Sequence, residues 1–251
     1  MKLKRITDNI EFGTNILDIE VPEALKRKFK TGLSFFDEAM GGEGFTPSAV
    51  TLFTGEPGAG KTTMMLKLAD SMTKKGANVL FNTAEESLYQ TAMTAKRLKL
   101  KNGFMAGNSS DVTEILARAE EVVNNPANNG KQFVLIVDSL QCLDDGKYSS
   151  GHITAGTAIR CLQLITDFCK EHNAVGIIIN QVNKSGKMAG SNKLKHMVDS
   201  HVHLGIEQKD AELIGCRILE TQKNRFGGCG HTFFLQLTRT GFRQVAKVSN
   251  Y

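Results

Sequence analysis

Residues 55–62 read Gly55-Glu56-Pro57-Gly58-Ala59-Gly60-Lys61-Thr62, which is the complete G-x-x-x-x-G-K-[ST] pattern of a phosphate-binding loop. The glycines let backbone N–H groups approach the phosphates of a nucleoside triphosphate, and Lys61 reaches the β- and γ-phosphates. The hydroxyl of Thr62 is a ligand for Mg²⁺. A buried strand is predicted before the loop at 49–54, and a helix after it from Thr63 to Lys74, with its N-terminus facing the anion. Residues 55–63 are therefore predicted to bind a nucleoside triphosphate and Mg²⁺.

Composition narrows the class of protein. The 251 residues are 41% hydrophobic and 23% charged, which predicts one sizeable core and excludes a disordered chain. A net charge of +5 tolerates a polyanionic partner without requiring one. None of the five cysteines belongs to a C-x-x-C pair, so we expect no zinc site and no disulfide framework, and a cytoplasmic location. No signal peptide is visible, and the longest apolar run, Ala174–Ile179, is too short to cross a bilayer, so no membrane partner is expected.

The order of predicted elements indicates an α/β fold. After the first helix, strands at 78–82, 133–137 and 175–179 alternate with amphipathic helices at 86–98, 111–123 and 158–168. From His201 onward, four predicted strands follow one another without helices: 201–206, 214–222, 231–237 and 242–245. This order predicts a mostly parallel central sheet flanked by helices, with a C-terminal antiparallel extension.

The chain divides into an N-terminal arm, residues 1–30, and a single domain, residues 31–251. The arm ends in the basic run Lys26-Arg27-Lys28-Phe29-Lys30. Two interpretations remain open at this stage. The arm either docks on a neighbouring subunit or is a solvated lead-in to the domain.

Three predicted strands end in residues suited to triphosphate chemistry. Asp138 follows the apolar run 133–137, as in a Walker B strand, and would support Mg²⁺ beside Thr62. Glu85 follows the strand at 78–82 and is the candidate base that activates water; the alternative is a helix-capping role. Gln181 closes the strand at 175–179, which we expect next to the Walker B strand, and is the candidate sensor of the γ-phosphate.

Two further groups of cations follow. The segment 184–196 is interrupted by glycines and predicts a mobile basic loop that suits the phosphates of single-stranded nucleic acid, although it has no aromatic residue for stacking; the alternative is a solvated loop. Its candidate DNA-binding residues are Lys184, Lys187, Lys193 and Lys195. Lys223 and Arg225, one residue apart on an extended segment, would point to the same side and reach a phosphate, including that of a neighbouring subunit.

Taken together, these residues resemble the RecA-like P-loop ATPases, most closely the bacterial RadA (Sms) DNA-repair family, with DnaB-type replicative helicases as relatives. The resemblance runs from about residue 31 to about residue 245. It rests on the phosphate loop and on the motifs Glu85-Glu86-Ser87, Asp138-Ser139-Leu140-Gln141, Lys184-Ser185-Gly186 and Lys223-Asn224-Arg225-Phe226-Gly227. The four-cysteine zinc element usual in the RadA family has no counterpart in this sequence, and Gln181 stands where that family commonly has His.

The resemblance implies an ATPase that uses ATP and Mg²⁺ and acts on single-stranded or branched DNA as a homo-oligomer, a hexameric ring in the RadA and DnaB families. It implies Glu85 as the water-activating base and places Lys223 and Arg225 at the interface between subunits. Lys61 and Gln181 are the other candidate catalytic residues. Helicase or branch-migration activity in recombination, repair or replication would follow. Two alternatives stay open: a RecA-type strand-exchange filament, and a KaiC-like nucleotide-gated signalling module without a DNA role.

Overall fold

A computed structural model describes residues 10–148, 153–182, 191–229 and 231–249, with only the backbone at Ser191 and Asn192. Its helices are α1 (Glu23–Lys26), α2 (Ser34–Ala39), α3 (Lys61–Lys74), α4 (Leu88–Arg97), α5 (Val112–Val123), α6 (Ala155–Glu171) and α7 (Ser191–Met197). Its strands are β1 (Val50–Gly55), β2 (Asn78–Thr83), β3 (Met105–Gly107), β4 (Phe133–Asp138), β5 (Val175–Gln181), β6 (Ser200–Ile206), β7 (Arg217–Asn224), β8 (His231–Thr238) and β9 (Gly241–Ser249). No helix among these residues is long and apolar enough to cross a membrane.

The strands form one nine-stranded sheet in the order β3-β2-β4-β5-β1-β6-β7-β8-β9. The pairs from β3 to β6 are parallel, and the pairs β6–β7, β7–β8 and β8–β9 are antiparallel. The predicted mostly parallel sheet with an antiparallel extension is confirmed, as is the expectation that the Walker B strand β4 lies beside β5.

The core lies on both faces of the sheet because side chains of successive strand residues alternate between the faces. In β4, Val134 and Ile136 join the cluster built around α2 and α3, whereas Leu135 and Val137 join the cluster built around α5 and α6. Strands buried on both faces have continuous apolar sequences, which is why the run 133–137 could be recognised as a central strand.

Two elements differ from the sequence-based expectation. The short strand β3, at the edge of the sheet, was not predicted because its three residues, two exposed and one partly buried, carry no alternation of apolar and polar side chains. Residues 191–197 were expected within a loop but form α7. Leu194 and Val198 lie one turn apart, and their burial against the cluster of α5 and α6 stabilises the helix despite the charged residues around them.

Candidate active site

Four parallel strands bring Lys61, Thr62, Glu85, Asp138 and Gln181 to the same edge of the sheet, whereas Lys223 and Arg225 lie beside the start of β6, at the opposite edge. Gly55 at the end of β1 is in register with Gln181 at the end of β5, and Thr83 at the end of β2 is in register with Asp138 at the end of β4. Ligands of open α/β sheets bind outside the carboxyl ends of the strands. The phosphate loop, which follows β1, opens at this edge.

The phosphate loop leads directly into α3, whose N-terminus supplies N–H groups without partners inside the helix. Gly58 and Gly60 have φ values of 78° and 100°, which glycine adopts without strain. Lys61 is buried, and its Nζ donates to the carbonyl oxygens of Gly55 at 2.9 Å and Glu56 at 3.0 Å. Burial lowers the pKa of Lys61. A cation with these neutral partners fits a site that receives the phosphate oxygens of a nucleotide.

Thr62 and Asp138, the two predicted metal ligands, lie side by side. The Thr62 hydroxyl donates to Oδ2 of Asp138 at 2.6 Å, and Asp138 is 4% exposed. Burial raises the pKa of Asp138 to about 6, although the Thr62 hydrogen bond opposes the rise. A hydroxyl and a buried carboxylate fit Mg²⁺, which prefers oxygen ligands and whose charge would keep the carboxylate ionised. When bound, Mg²⁺ would neutralise charge that develops on the phosphates.

Glu85 lies at the same edge in a cluster with two glutamines. Its Oε1 accepts from Nε2 of Gln181 at 2.7 Å and from Nε2 of Gln141 at 3.4 Å. The backbone N–H of Gln181 also donates to Oε1 of Gln141 at 3.0 Å. An exposed carboxylate oriented by two amides beside the phosphate loop can orient or deprotonate a water molecule.

The capping alternative for Glu85 does not match the local structure. The N-cap of α4 is Ser87, whose Oγ accepts from the N–H of Gln90, and the Gln90 side chain accepts in return from the N–H of Ser87. Glu86, which we expected at the start of this helix, lies just before the cap. The first turn of α4 thus leaves the Glu85 side chain to the cluster with Gln141 and Gln181.

Lys223 and Arg225 lie at the end of α7. Nζ of Lys223 donates to the carbonyl oxygens of Lys195 at 2.9 Å and Val198 at 2.6 Å, an arrangement that satisfies helix-end carbonyls. Nη1 of Arg225 lies 2.8 Å from Oδ1 of Asp199, just after the helix. Burial, followed by the nearby charge of Arg225, lowers the pKa of Lys223. Within one copy of the chain, these two cations bind α7 and the start of β6.

The four candidate DNA-binding lysines are only partly placed. Lys193 is exposed and Lys195 is half-buried, both on α7. Lys184 and Lys187 lie outside the described residues. Lys223 and Arg225 bind the end of α7 and the residue that follows Val198. Along the chain, α7 is the next described helix after Gln181.

Comparison with known proteins identifies the family of this chain. The family described as "ATPase: KaiC" matches residues 29–233. The chain belongs to this KaiC family of RecA-like ATPases. It is similar to the DNA repair protein RadA of Aquifex aeolicus (strain VF5), with 32% identity over 222 residues, which are 88% of this chain and 47% of the relative. RadA of Haemophilus influenzae (strain ATCC 51907 / DSM 11121 / KW20 / Rd) is 31% identical over 88% of this chain and 46% of its own length. The chain therefore spans about half the length of these curated relatives.

Solved structures agree on the fold of this KaiC-family ATPase. A DnaB-like replicative helicase has a TM-score of 0.72 at 16% identity, covering 86% of this chain and 61% of the helicase. A KaiC-like protein from Pyrococcus horikoshii OT3 has a TM-score of 0.69 at 19% identity, covering 88% of this chain and 99% of that protein. At these identities the likeness shows the RecA-like fold.

Sequence reasoning missed several residues at the site of this KaiC-family ATPase, among them Gln141, Arg217 and Cys142, whose thiol lies 3.8 Å from Oε1 of Glu85. Gln141 bridges Glu85 and Gln181, and its signal was its place three residues after Asp138. Arg217, at the start of β7, donates from Nε to the carbonyl oxygen of Ala59 at 3.2 Å and from Nη2 to that of Gly58 at 3.3 Å. No motif pointed to Arg217, because the contact joins the phosphate loop to a strand more than 150 residues away.

Proposed function

We propose that the chain is a Mg²⁺–ATP-dependent motor ATPase that acts on single-stranded or branched DNA in recombination, repair or replication. In this proposal the phosphate loop holds ATP, Thr62 and Asp138 hold Mg²⁺, and Glu85 activates water. Gln181 senses the γ-phosphate, and Lys223 and Arg225 complete the site of a neighbouring copy. The cytoplasmic location expected from the cysteines belongs to the same proposal.

The observation that carries the proposal is the contact between Gln181 and Glu85 at 2.7 Å. Gln181 ends β5, and the next described helix along the chain is α7, with Lys193 and Lys195. Lys223 holds the end of that helix. A change at the γ-phosphate that moves Gln181 would therefore act on the strand that leads to the basic helix. This supports a coupling of hydrolysis to binding of a polyanion.

The relatives support a DNA role. Two similar proteins carry the name DNA repair protein RadA, and one structural neighbour is a DnaB-like replicative helicase. A KaiC-like nucleotide-gated signalling module is the second candidate, favoured by the matching family description and by the absence of aromatic residues from 184–196. A RecA-type filament is the third, and electron microscopy separates open helices from closed rings.

The test is the steady-state ATPase rate with and without single-stranded DNA, together with DNA affinity as a function of salt. We expect DNA to stimulate the wild type and Lys193→Ala/Lys195→Ala to weaken both stimulation and affinity. The slope of log affinity against log salt should fall by about 0.7 for each lost phosphate contact. The matched control is Lys131→Ala/Lys170→Ala, two exposed lysines at the amino edge of the sheet. A wild-type rate indifferent to DNA, without salt-sensitive affinity, would favour the signalling module.

A further inference from the structure

Arg217, the first residue of β7, places its guanidinium against the phosphate loop. Nε donates to the carbonyl oxygen of Ala59 at 3.2 Å, and Nη2 donates to that of Gly58 at 3.3 Å. Nη1 donates to the carbonyl oxygen of Gly215 at 2.6 Å, in the turn just before β7. The rigid, planar fork of a guanidinium suits paired acceptors of this kind. One side chain therefore joins two successive peptide groups of the phosphate loop to the antiparallel part of the sheet.

The charge of Arg217 is not matched by a carboxylate. Among the described residues, no carboxylate forms an ion pair with Arg217, and its three hydrogen bonds go to backbone carbonyl oxygens. By contrast, Arg160 pairs with Asp145, and Arg225 pairs with Asp199. A cation without an acidic partner creates a positive potential around it. Beside a phosphate loop, that potential suits the negative charge of a nucleoside triphosphate.

The glycines of the phosphate loop make such a support useful. Gly58 and Gly60, with φ values of 78° and 100°, allow the shape of the loop without fixing it, because glycine adopts many backbone conformations. A loop that is ordered before its ligand arrives loses less conformational entropy when the ligand binds. A side chain that holds the loop in shape should therefore strengthen nucleotide binding.

The hydrogen bonds of Arg217 also set the direction of a peptide group in the loop. In a trans peptide, the C=O and N–H bonds point to opposite sides. The carbonyl of Ala59 faces Arg217, so the N–H of Gly60, in the same peptide group, points away from Arg217. Backbone N–H groups of this loop are the groups that receive phosphate oxygens. Arg217 thus keeps one such N–H group turned toward the opposite side of the loop.

Apolar side chains of β8 and β9 support the same part of the loop. A Cβ atom added to Gly60 would lie 3.0 Å from the ring of Phe242 and 3.5 Å from a methyl carbon of Leu237. These side chains limit how far the loop can move toward the sheet, but they donate no hydrogen bond to it. Arg217 is the polar part of this contact.

We infer that Arg217 is a positioning residue for nucleotide binding, which holds the phosphate loop in the conformation that receives the β- and γ-phosphates. It acts through the peptide groups of the loop and takes no part in the hydrolysis step. The inference deepens the proposed function and rests on its assignment of the phosphate loop to ATP. It depends neither on DNA nor on a second copy of the chain.

Nucleotide affinity in the full chain tests this role. Isothermal titration calorimetry with ADP and Mg²⁺ should show that Arg217→Gln raises the dissociation constant on the order of tenfold or more, since two charged hydrogen bonds to the loop are lost. Arg217→Lys keeps the charge but has one nitrogen for two carbonyl oxygens, so it should restore only part of the affinity. The matched control is Arg243→Gln, an exposed arginine on β9 whose Nη2 donates to Oε1 of Gln236.

Steady-state kinetics separate positioning from catalysis. In Arg217→Gln, the KM for ATP should rise together with the dissociation constant for ADP. The kcat at saturating ATP should change by less than about threefold, because the cluster around Glu85 is untouched. A fall in kcat at unchanged KM would contradict the inference.

The remaining outcomes separate this role from a structural one and from the proposed function. A variant that melts at a lower temperature but binds ADP like the wild type would show that Arg217 only stabilises β7. Complete rescue by lysine would show that charge alone acts, and either result would overturn the inference. If Arg217→Gln did not fold, unchanged ADP affinity in Arg217→Lys would overturn it too. An ATPase indifferent to DNA would count against the proposed DNA role and leave these nucleotide measurements valid, whereas a wild type that bound no ADP would contradict both.

Discussion

The two halves of the sheet differ in how they carry chemistry. Strands β1 and β4 are buried along their whole length, whereas β7 and β8 are each buried at only two positions and are partly or fully exposed elsewhere. In the parallel half, interior strand positions are occupied by core residues, so polar groups of the candidate site come at strand ends, as Asp138 and Gln181 do. In the antiparallel half, one face is partly solvated, and β7 carries cations both at its first residue, Arg217, and inside the strand, at Lys223.

The two halves of the sheet also contribute different chemical groups. The parallel half contributes carboxylates, amides and backbone N–H groups, which are the kinds of group that suit metal, water and phosphate. The antiparallel half contributes cations that bind carbonyl oxygens of other elements, the phosphate loop through Arg217 and α7 through Lys223. A substitution at a strand end of the first half should affect chemistry, and one in its interior should affect stability.

The largest expected effect of a substitution is the loss of ATPase activity when Glu85, just after β2, is changed. Glu85→Gln should lower the steady-state ATPase rate by about 10²–10⁴-fold, because the amide cannot accept a proton from water. Nucleotide affinity, measured with a fluorescent ATP analogue, should change little. The control is Glu86→Gln, since Glu86 lies one residue closer to α4 and outside the cluster with Gln181. Equal rates in the wild type and in Glu85→Gln would show that another group activates water.

The same contrast explains what could be predicted from the sequence. The phosphate loop and the run 133–138 are local patterns whose physical requirements fix both the residues and their spacing, so the parallel half and the ends of its strands could be predicted. Gln141 was missed because its role appears only when β4 and β5 lie side by side. The roles of the predicted site residues remain predictions.

Long-range contacts of the antiparallel half could not be predicted. The bond from Arg217 to Ala59 depends on the pairing of β6 with both β1 and β7. Similarly, α7 was expected as a loop because glycines precede it and lysines occupy it, while burial of Leu194 and Val198 decides the outcome. Tertiary packing outweighs local propensity in both places.

A matched pair of Val→Ala substitutions, one in each half of the sheet, should lower the free energy of unfolding by different amounts. Val134→Ala, in the buried strand β4, should lower the free energy of unfolding by about 2–3 kcal/mol through lost burial and a cavity. Val248→Ala, in β9, removes the same atoms from a half-exposed position and should cost less than about 1 kcal/mol. Urea denaturation measures both values. Equal costs would mean that β9 is buried in solution, as an interface between copies would require.

The smallest expected effect is a change in the pH dependence of stability, caused by a histidine in β6. This strand joins the two halves of the sheet by pairing with β1 and β7. His201 is buried there, with Nε2 2.8 Å from Oγ1 of Thr54, and burial lowers its pKa to about 4. An unfolded histidine titrates near pH 6.5, at about its ordinary pKa. Between these values the unfolded chain binds a proton that the folded chain does not, so the free energy of unfolding falls as the pH drops. From pH 7 to pH 5, His201 should account for about 1–2 kcal/mol of that fall.

Comparison with His201→Gln isolates this contribution, because other titrating groups, including His203 with its own burial-lowered pKa, remain in both proteins. Urea denaturation at pH 7, 6 and 5 should show a smaller loss of stability in the variant, whose amide can still bond to the Thr54 hydroxyl but gains no charge. The sign is decisive, because a histidine that gained a carboxylate partner on folding would make the wild type more stable in acid. If both proteins lost stability in parallel, His201 would be accessible to protons in the folded state, and the junction between the two halves of the sheet would open more readily than its burial indicates.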